Sequence, residues 1–270
     1  MLKKLKYIII TSILTLLFVN CGGEKTSQEN IIKLGINGDE SIVWETVRDE
    51  LKKENITLKF VSFGDYIRPN LALQEKEIDL NAFQTEIYFD TFKKEHNLTI
   101  ENIAYTVIAP MGIYSKKITD LSQLKDNSTV AIPNDSSNSG RALILLQEAG
   151  LIKLAEGSGL FPRIKDIISN PKNLKIVELV ATQIPRSIDD VDIAVINNGV
   201  AVEANYSPLE DSLFLEDAKN EKLKPYFNII ASREDNKDNL LVKRVVEVYQ
   251  SQKIKDLIIE YYKGSSVPVF

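Results

Sequence analysis

From residue 31 onward, short apolar segments alternate with segments whose apolar residues recur at helical spacing. Strands are predicted at 31–37, 56–62, 78–83, 129–132, 175–179, 193–196 and 227–231, helices at 41–53, 66–76, 120–125, 140–149 and 239–262, and one long extended segment at 102–115. This alternation is typical of open α/β sheets. Two such units joined by extended crossings predict an α/β protein with two lobes and a ligand cleft between them.

The first twenty residues do not fit this alternation. Lys3, Lys4 and Lys6 precede an apolar run at 7–19, which is shorter than the roughly 20 residues that a helix needs to span a bilayer. The only cysteine, Cys21, follows almost directly. This order is typical of a bacterial lipoprotein signal, so we predict a signal peptide at 1–20, lipidation of Cys21 and a linker at 21–30. An ordinary cleaved signal followed by an unrelated cysteine is the alternative.

Composition excludes several classes of protein. With 33 basic and 38 acidic residues the formal net charge is −5, which argues against general nucleic-acid binding. One cysteine and one histidine leave no basis for a disulfide framework, a Cys-rich zinc site or a Ser-His-Asp triad. No cofactor and no metal site are predicted.

The clearest binding motif is the segment 133–142, PNDSSNSGRA, between a predicted strand and a predicted helix. Free N–H groups at a helix start favour an anion, and Arg141 is placed to clamp a carboxylate with two N–H bonds. A capped helix with a solvated arginine is the alternative.

Three asparagines stand at or within apolar strands. Asn197 and Asn198 follow the strand at 193–196 and could bind a ligand's amino or carboxyl group, although an Asx-type turn explains them more simply. Asn228 lies inside the apolar segment 227–231, where it needs a hydrogen-bond partner or a function. Aromatic residues near 66 and 79–88 could wall an apolar pocket, but ordinary core packing is the more frequent role.

These segments resemble a known family. From about residue 32 to the C-terminus the chain is similar to methionine-binding lipoproteins of the NlpA/MetQ type, the substrate-binding components of methionine ABC importers. The resemblance rests on long ordered motifs, among them DYIRPN, DLNAFQ, IPNDSSNSGRALILLQEAGLIKL, NPKNLKIVEL and AVINN. It implies a two-lobed periplasmic-binding-protein fold of type II with two crossings. One lobe would comprise 31–108 and 229–270, and the other 109–228.

The resemblance also implies the roles of individual residues. Arg141 would pair with the α-carboxylate of the ligand, and Asn138, Asn197 and Asn228 would hold its α-amino and carboxylate groups. The aromatic side chains of Tyr66, Phe83 and Tyr88 would enclose the thioether.

One segment departs from the family pattern. Thr85 stands where the family has histidine and Ile87 where it has proline, and one lost ring in an apolar pocket can alter ligand preference. Thr85 is expected to contact the ligand in place of that histidine. L-Methionine remains the expected ligand, with a methionine peptide or another apolar amino acid as the alternative.

The expected function is that of a non-catalytic protein anchored by lipid to the extracytoplasmic side of a membrane. It would deliver its ligand to the permease and ATPase subunits of an ABC importer. One alternative is a surface lipoprotein of the same fold with an altered ligand or an adhesive or antigenic role. A secreted hydrolase is far less favoured, because the sequence offers no Gly-x-Ser-x-Gly motif and no suitable histidine.

Overall fold

The computed structural model describes residues 30–270, which form two large β-sheets and one small two-stranded sheet, with helices packed against the large ones. The strands are β1 (Ile31–Asn37), β2 (Thr57–Phe63), β3 (Leu80–Asn81), β4 (Ile100–Ile108), β5 (Gly112–Tyr114), β6 (Thr129–Pro133), β7 (Lys153–Leu154), β8 (Ile167–Ser169), β9 (Lys175–Leu179), β10 (Ile193–Ile196), β11 (Phe214–Leu215), β12 (Phe227–Arg233) and β13 (Val267–Pro268). The α-helices are α1 (Ile42–Lys53), α2 (Arg68–Gln74), α3 (Glu86–His96), α4 (Ser136–Glu148), α5 (Asn198–Glu203), α6 (Pro208–Asp211), α7 (Leu240–Tyr249) and α8 (Gln252–Tyr262).

The first sheet has the strand order β13-β4-β12-β3-β1-β2, and the second has the order β11-β5-β10-β6-β9. In the first sheet β1 pairs in parallel with β2 and β3, while β12 runs antiparallel to β3 and β4. In the second, β6 lies parallel to β9 and β10, and β5 is antiparallel to β10. Strands β7 and β8 form a separate antiparallel pair. Within residues 30–270, no helix combines the length and the apolarity that a bilayer crossing needs.

The chain passes between the sheets twice. It leaves β4 of the first sheet and enters β5 of the second through residues 109–111, which include Pro110. It returns from β11 to β12 through residues 216–226. We call these segments the first and second crossing. The lobe boundaries at residues 108 and 228 stay a prediction.

Each sheet has its own apolar core. In the first sheet, Leu34 of β1 and Leu80 of β3 pack with buried residues of α1, α7 and α8. In the second, Ile132 of β6 and Val195 of β10 pack against the buried face of α4.

Three predicted boundaries were wrong, and side-chain caps at helix starts explain two of them. Helix α4 begins at Ser136 rather than at residue 140, because Asp135 accepts a hydrogen bond from the N–H of Asn138 and caps the helix four residues earlier. The helix predicted at 239–262 is two helices, α7 and α8, because Ser251 caps the start of α8 and interrupts the helical segment. The extended segment predicted at 102–115 is two strands separated by the first crossing.

Gly140 lies where α4 packs closely against the backbone of residues 160 and 161. A Cβ at this position would lie 2.7 Å from the carbonyl oxygen of Leu160, a backbone atom that cannot swing away. We expect Gly140→Ala to lower the free energy of unfolding by about 1–3 kcal/mol, although alanine favours helix by up to about 1 kcal/mol. Urea unfolding measures this. The control is Gly199→Ala in α5, where nothing lies within 4 Å and no loss is expected. Equal losses in both variants would contradict the packing argument.

Candidate functional site

A cavity of about 450 Å³ is lined by residues from both lobes and from the first crossing. All eight side chains predicted to bind ligand line it, namely Tyr66, Phe83, Thr85, Tyr88, Asn138, Arg141, Asn197 and Asn228. The aromatic members and Thr85 come from segments next to strands of the first sheet, whereas Asn138, Arg141 and Asn197 follow strands of the second. The fold therefore brings together segments that lie far apart in the sequence. Cys21 and the predicted signal peptide lie outside the described residues.

Three aromatic rings form one wall of the cavity. The ring centroid of Tyr66 lies 5.8 Å from that of Phe83 and 5.9 Å from that of Tyr88, at the separations typical of packed aromatic pairs. The Tyr88 hydroxyl donates a hydrogen bond of 2.9 Å to the carbonyl oxygen of Tyr66 and so fixes the two rings relative to each other. Burial raises the pKa of both tyrosines, and the carboxylate of Asp135 raises it further. The wall therefore carries no charge at neutral pH.

Thr85 has a structural role as well as a place in the cavity. Its hydroxyl oxygen caps α3 by accepting a hydrogen bond from the N–H of Tyr88 at 3.4 Å. Its backbone forms an isolated antiparallel bridge with Asn228. Ile87 is buried against Leu223 and Tyr226 and is not among the residues that line the cavity. Of the two departures from the family pattern, only Thr85 meets the cavity.

A buried amide cluster that sequence reasoning missed supports the aromatic wall. Gln84 and Asn70 exchange two hydrogen bonds of 2.7 Å, and Gln84 also donates to Asn81 at 2.9 Å. All three side chains are buried, so these bonds satisfy polar groups that would otherwise be costly to bury. The cluster holds the turn that carries Phe83 against the start of α2. The sequence contains the three amide side chains of this cluster within the motifs DYIRPN and DLNAFQ.

Arg141 is fully buried, which makes the solvated-arginine alternative wrong. It pairs with Glu216, and only 3% of each side chain is exposed. Its Nε donates to one carboxylate oxygen of Glu216 at 2.9 Å, and its Nη2 donates to the other oxygen at 2.6 Å and to the carbonyl of Ala109 at 3.1 Å. The guanidinium also lies 4.6 Å from the ring centroid of Tyr226. Among the described residues, Nη1 has no hydrogen-bond partner, so its two N–H groups are the ones free to meet a ligand.

Glu216 was not predicted, and it connects the two crossings. It begins the second crossing, and its carboxylate accepts a hydrogen bond of 2.6 Å from the N–H of Met111 in the first crossing. Its partner Arg141 lies 75 positions away in the sequence, so no local pattern indicates the pair. An acidic residue directly after the apolar run 213–215 was the only sequence signal.

The asparagines differ in their surroundings. Asn197 precedes α5 without capping it, and its amide Nδ2 donates instead to Oδ1 of Asn138 at 2.7 Å. Asn198 is a structural residue that donates to the backbone carbonyls of Pro110 and Ser265. Asn228 donates to the carbonyl of Val107 on the neighbouring strand at 3.3 Å, which supplies the partner that a mid-strand asparagine needs.

Known proteins are similar to this chain over most of its length. A family model described as NlpA lipoprotein matches residues 32–270. The D-methionine-binding lipoprotein MetQ of Escherichia coli (strain K12) is 44% identical over 257 residues, which cover 94% of this chain and 93% of that protein.

Solved structures show the same architecture. A nutrient binding protein from Burkholderia cenocepacia bound to methionine is 43% identical with a TM-score of 0.82, covering 88% of this chain and 100% of that one. The substrate binding protein of a methionine transporter from Streptococcus pneumoniae is 38% identical with a TM-score of 0.82, covering 89% of this chain and 96% of that one. The predicted two-lobed substrate-binding fold is confirmed by these similarities.

Proposed function

The chain belongs to the NlpA lipoprotein family, and we propose that it captures methionine outside the cytoplasm and delivers it to an ABC importer. The observation that carries this proposal is one cavity whose lining brings together the buried Arg141, three of the predicted asparagines and the wall of three aromatic rings. These groups suit a free amino acid, which joins a zwitterionic head to an apolar side chain. In this role the protein binds its ligand without altering it.

The polar head of the ligand meets the side of the cavity built by α4 and α5. The α-carboxylate binds the two free N–H groups on Nη1 of Arg141, because Nε and Nη2 are already held by Glu216 and Ala109. Asn138, Asn197 and Asn228 hold the remaining amino and carboxylate atoms. Charge-assisted bonds of this kind are about twice as strong as bonds between neutral groups.

The thioether side chain lies against the aromatic wall of Tyr66, Phe83 and Tyr88. Sulfur next to an aromatic ring is stabilised by about 0.3–1.5 kcal/mol, and the uncharged rings offer no counter-charge to a charged side chain. Thr85 brings a small hydroxyl to this wall, and this change makes a methionine peptide or another apolar amino acid the competing ligand. An adhesive role is not favoured, because it needs none of the groups that converge on the cavity.

The family name and the lipoprotein relatives support association with the cell envelope. We place residues 1–20 as the signal peptide, Cys21 as the lipidated anchor and 21–30 as the linker. One lobe comprises 31–108 and 229–270, the other comprises 109–228, and the partners are the permease and ATPase subunits of the importer. Closure of the lobes around the ligand would present one surface to these subunits.

Thermal unfolding tests the proposed ligand. The purified full chain is denatured and refolded to remove carried-over ligand, then titrated with L-methionine, a methionine dipeptide, alanine and methioninamide. At 100 times its dissociation constant L-methionine should add about 2.7 kcal/mol to the free energy of unfolding. For a chain of this size that is a rise in Tm of roughly 5–10 °C.

Alanine lacks the thioether and methioninamide lacks the carboxylate, so neither should raise Tm at the same concentration. A cooperative, refolded protein whose Tm responds to no amino acid and no methionine peptide would contradict the proposal. A response to a methionine peptide but not to methionine would keep the transport role and change the ligand.

A further inference from the structure

Three side chains form a hydrogen-bonded series that ends at the cavity, and we call it the Asp135 relay. Nδ2 of Asn138 donates to both carboxylate oxygens of Asp135, at 3.0 and 2.9 Å. Nδ2 of Asn197 in turn donates to Oδ1 of Asn138 at 2.7 Å. Asp135 itself is not among the residues that line the cavity, whereas both asparagines are.

The chemistry of Asp135 fixes the orientation of both amides. An ionised carboxylate only accepts hydrogen bonds, so Asn138 must turn its NH₂ group toward Asp135. Its oxygen then faces Asn197, which must answer with its own NH₂ group. The carbonyl oxygen of Asn197 is left pointing away from the relay.

The side-chain oxygen of Asn197 ends the relay on the cavity side. Oδ1 of Asn197 is buried, and among the described residues it has no hydrogen-bond donor. A buried acceptor without a donor is costly, which makes it a candidate ligand contact. The negative charge of Asp135 also acts at the cavity, since it raises the pKa of Tyr66 and Tyr88 on the aromatic wall.

We propose that Asp135 is a positioning residue, which orients Asn138 and Asn197 in turn so that Oδ1 of Asn197 accepts a hydrogen bond from the ammonium group of the ligand. This inference rests on the proposed binding of an amino acid. An ammonium group is a donor only, so it requires an acceptor of this kind. Successive hydrogen bonds polarise one another, and the relay therefore extends the negative charge of Asp135 toward the cationic end of the ligand.

Asp135 also caps α4, and the test must separate the two roles. Its Oδ1 accepts from the N–H of Asn138 at 2.9 Å. Asparagine and serine cap helices about as well as aspartate, so Asp135→Asn and Asp135→Ser keep the cap and remove the charge. The matched control is Asp120→Asn, which removes a charge from another capping aspartate that does not line the cavity.

The experiment compares methionine with 4-(methylthio)butanoate, the same molecule without its amino group, by titration calorimetry on the full chain. In Asp135→Asn we expect the affinity for methionine to fall about 10- to 100-fold, as for loss of a charge-assisted hydrogen bond. The affinity for 4-(methylthio)butanoate should change less than about threefold, since it has no ammonium group to lose. Asp120→Asn should leave both affinities unchanged.

The outcomes separate this inference from the function on which it rests. Equal losses for the two ligands, or no loss for either, in both Asp135→Asn and Asp135→Ser would overturn the positioning role while the binding function stands. A wild-type protein that binds no amino acid would overturn the proposed function and this assignment with it. A selective loss for methionine supports the relay, because a purely structural role would not distinguish the two ligands.

Discussion

The double substitution Arg141→Met, Glu216→Gln is expected to give a folded protein that binds methionine far more weakly. It removes both charges of the buried pair together, so neither charge is left buried without its partner. The introduced glutamine keeps a carbonyl oxygen for the N–H of Met111, whose hydrogen bond Glu216 now accepts. The ligand carboxylate, however, loses the guanidinium that faces it.

The loss of affinity should be about 2–5 kcal/mol, or roughly 30- to 4,000-fold. Titration calorimetry measures it, and urea unfolding shows that the protein is folded. The matched control is Arg244→Met, Glu54→Gln, which removes a bidentate pair whose side chains are 40% and 41% exposed. This pair lies outside the cavity, so methionine affinity should not change. Retained affinity in the Arg141 double variant would remove Arg141 from the site.

The single substitution Glu216→Gln is expected to destabilise the protein more than the double substitution does. It leaves the guanidinium of Arg141 buried without a counter-charge and offers one carbonyl oxygen to the three N–H groups whose hydrogen bonds Glu216 now accepts. An uncompensated buried charge typically costs about 3–5 kcal/mol. Adding Arg141→Met should recover much of that loss by removing the charge.

Urea unfolding of the two variants measures this coupling directly. Glu54→Gln supplies the comparison, since an ion pair exposed to solvent contributes little to stability. A Glu216→Gln variant no less stable than Glu54→Gln would show that the buried pair has little energetic weight. A double variant less stable than Glu216→Gln would contradict the charge argument.

Local patterns in the sequence predicted the strands best. Strand β10 begins and ends where its apolar run does, and β9 matches the predicted bounds 175–179, because short strand patterns of this kind are read from neighbouring residues alone. Helix starts were less well predicted, since the cap formed by Asp135 depends on the conformation of one side chain. Helix α3 was missed, although Thr85 caps it and His96 ends it.

The eight predicted ligand residues lie around one cavity, but their partners could not be predicted. Glu216 meets Arg141 only because the second crossing returns past α4, and a contact over 75 positions leaves no trace in spacing or periodicity. The orientation of Asn197 likewise depends on Asp135 through an intermediate residue. Residue types that suit a ligand can be recognised in a sequence, whereas the groups that hold them in place depend on the fold.

The two walls of the cavity come from different sheets, and this has an evolutionary consequence. Apart from Asn228, the side chains assigned to the zwitterionic head belong to segments that follow strands of the second sheet, and the aromatic groups belong to segments beside the first. In the proposed binding mode one wall contacts what every amino acid shares, and the other contacts what makes methionine distinct. Substitutions beside the first sheet, such as threonine at position 85, can therefore redirect the protein to a new nutrient while its capacity to hold an amino acid is inherited unchanged.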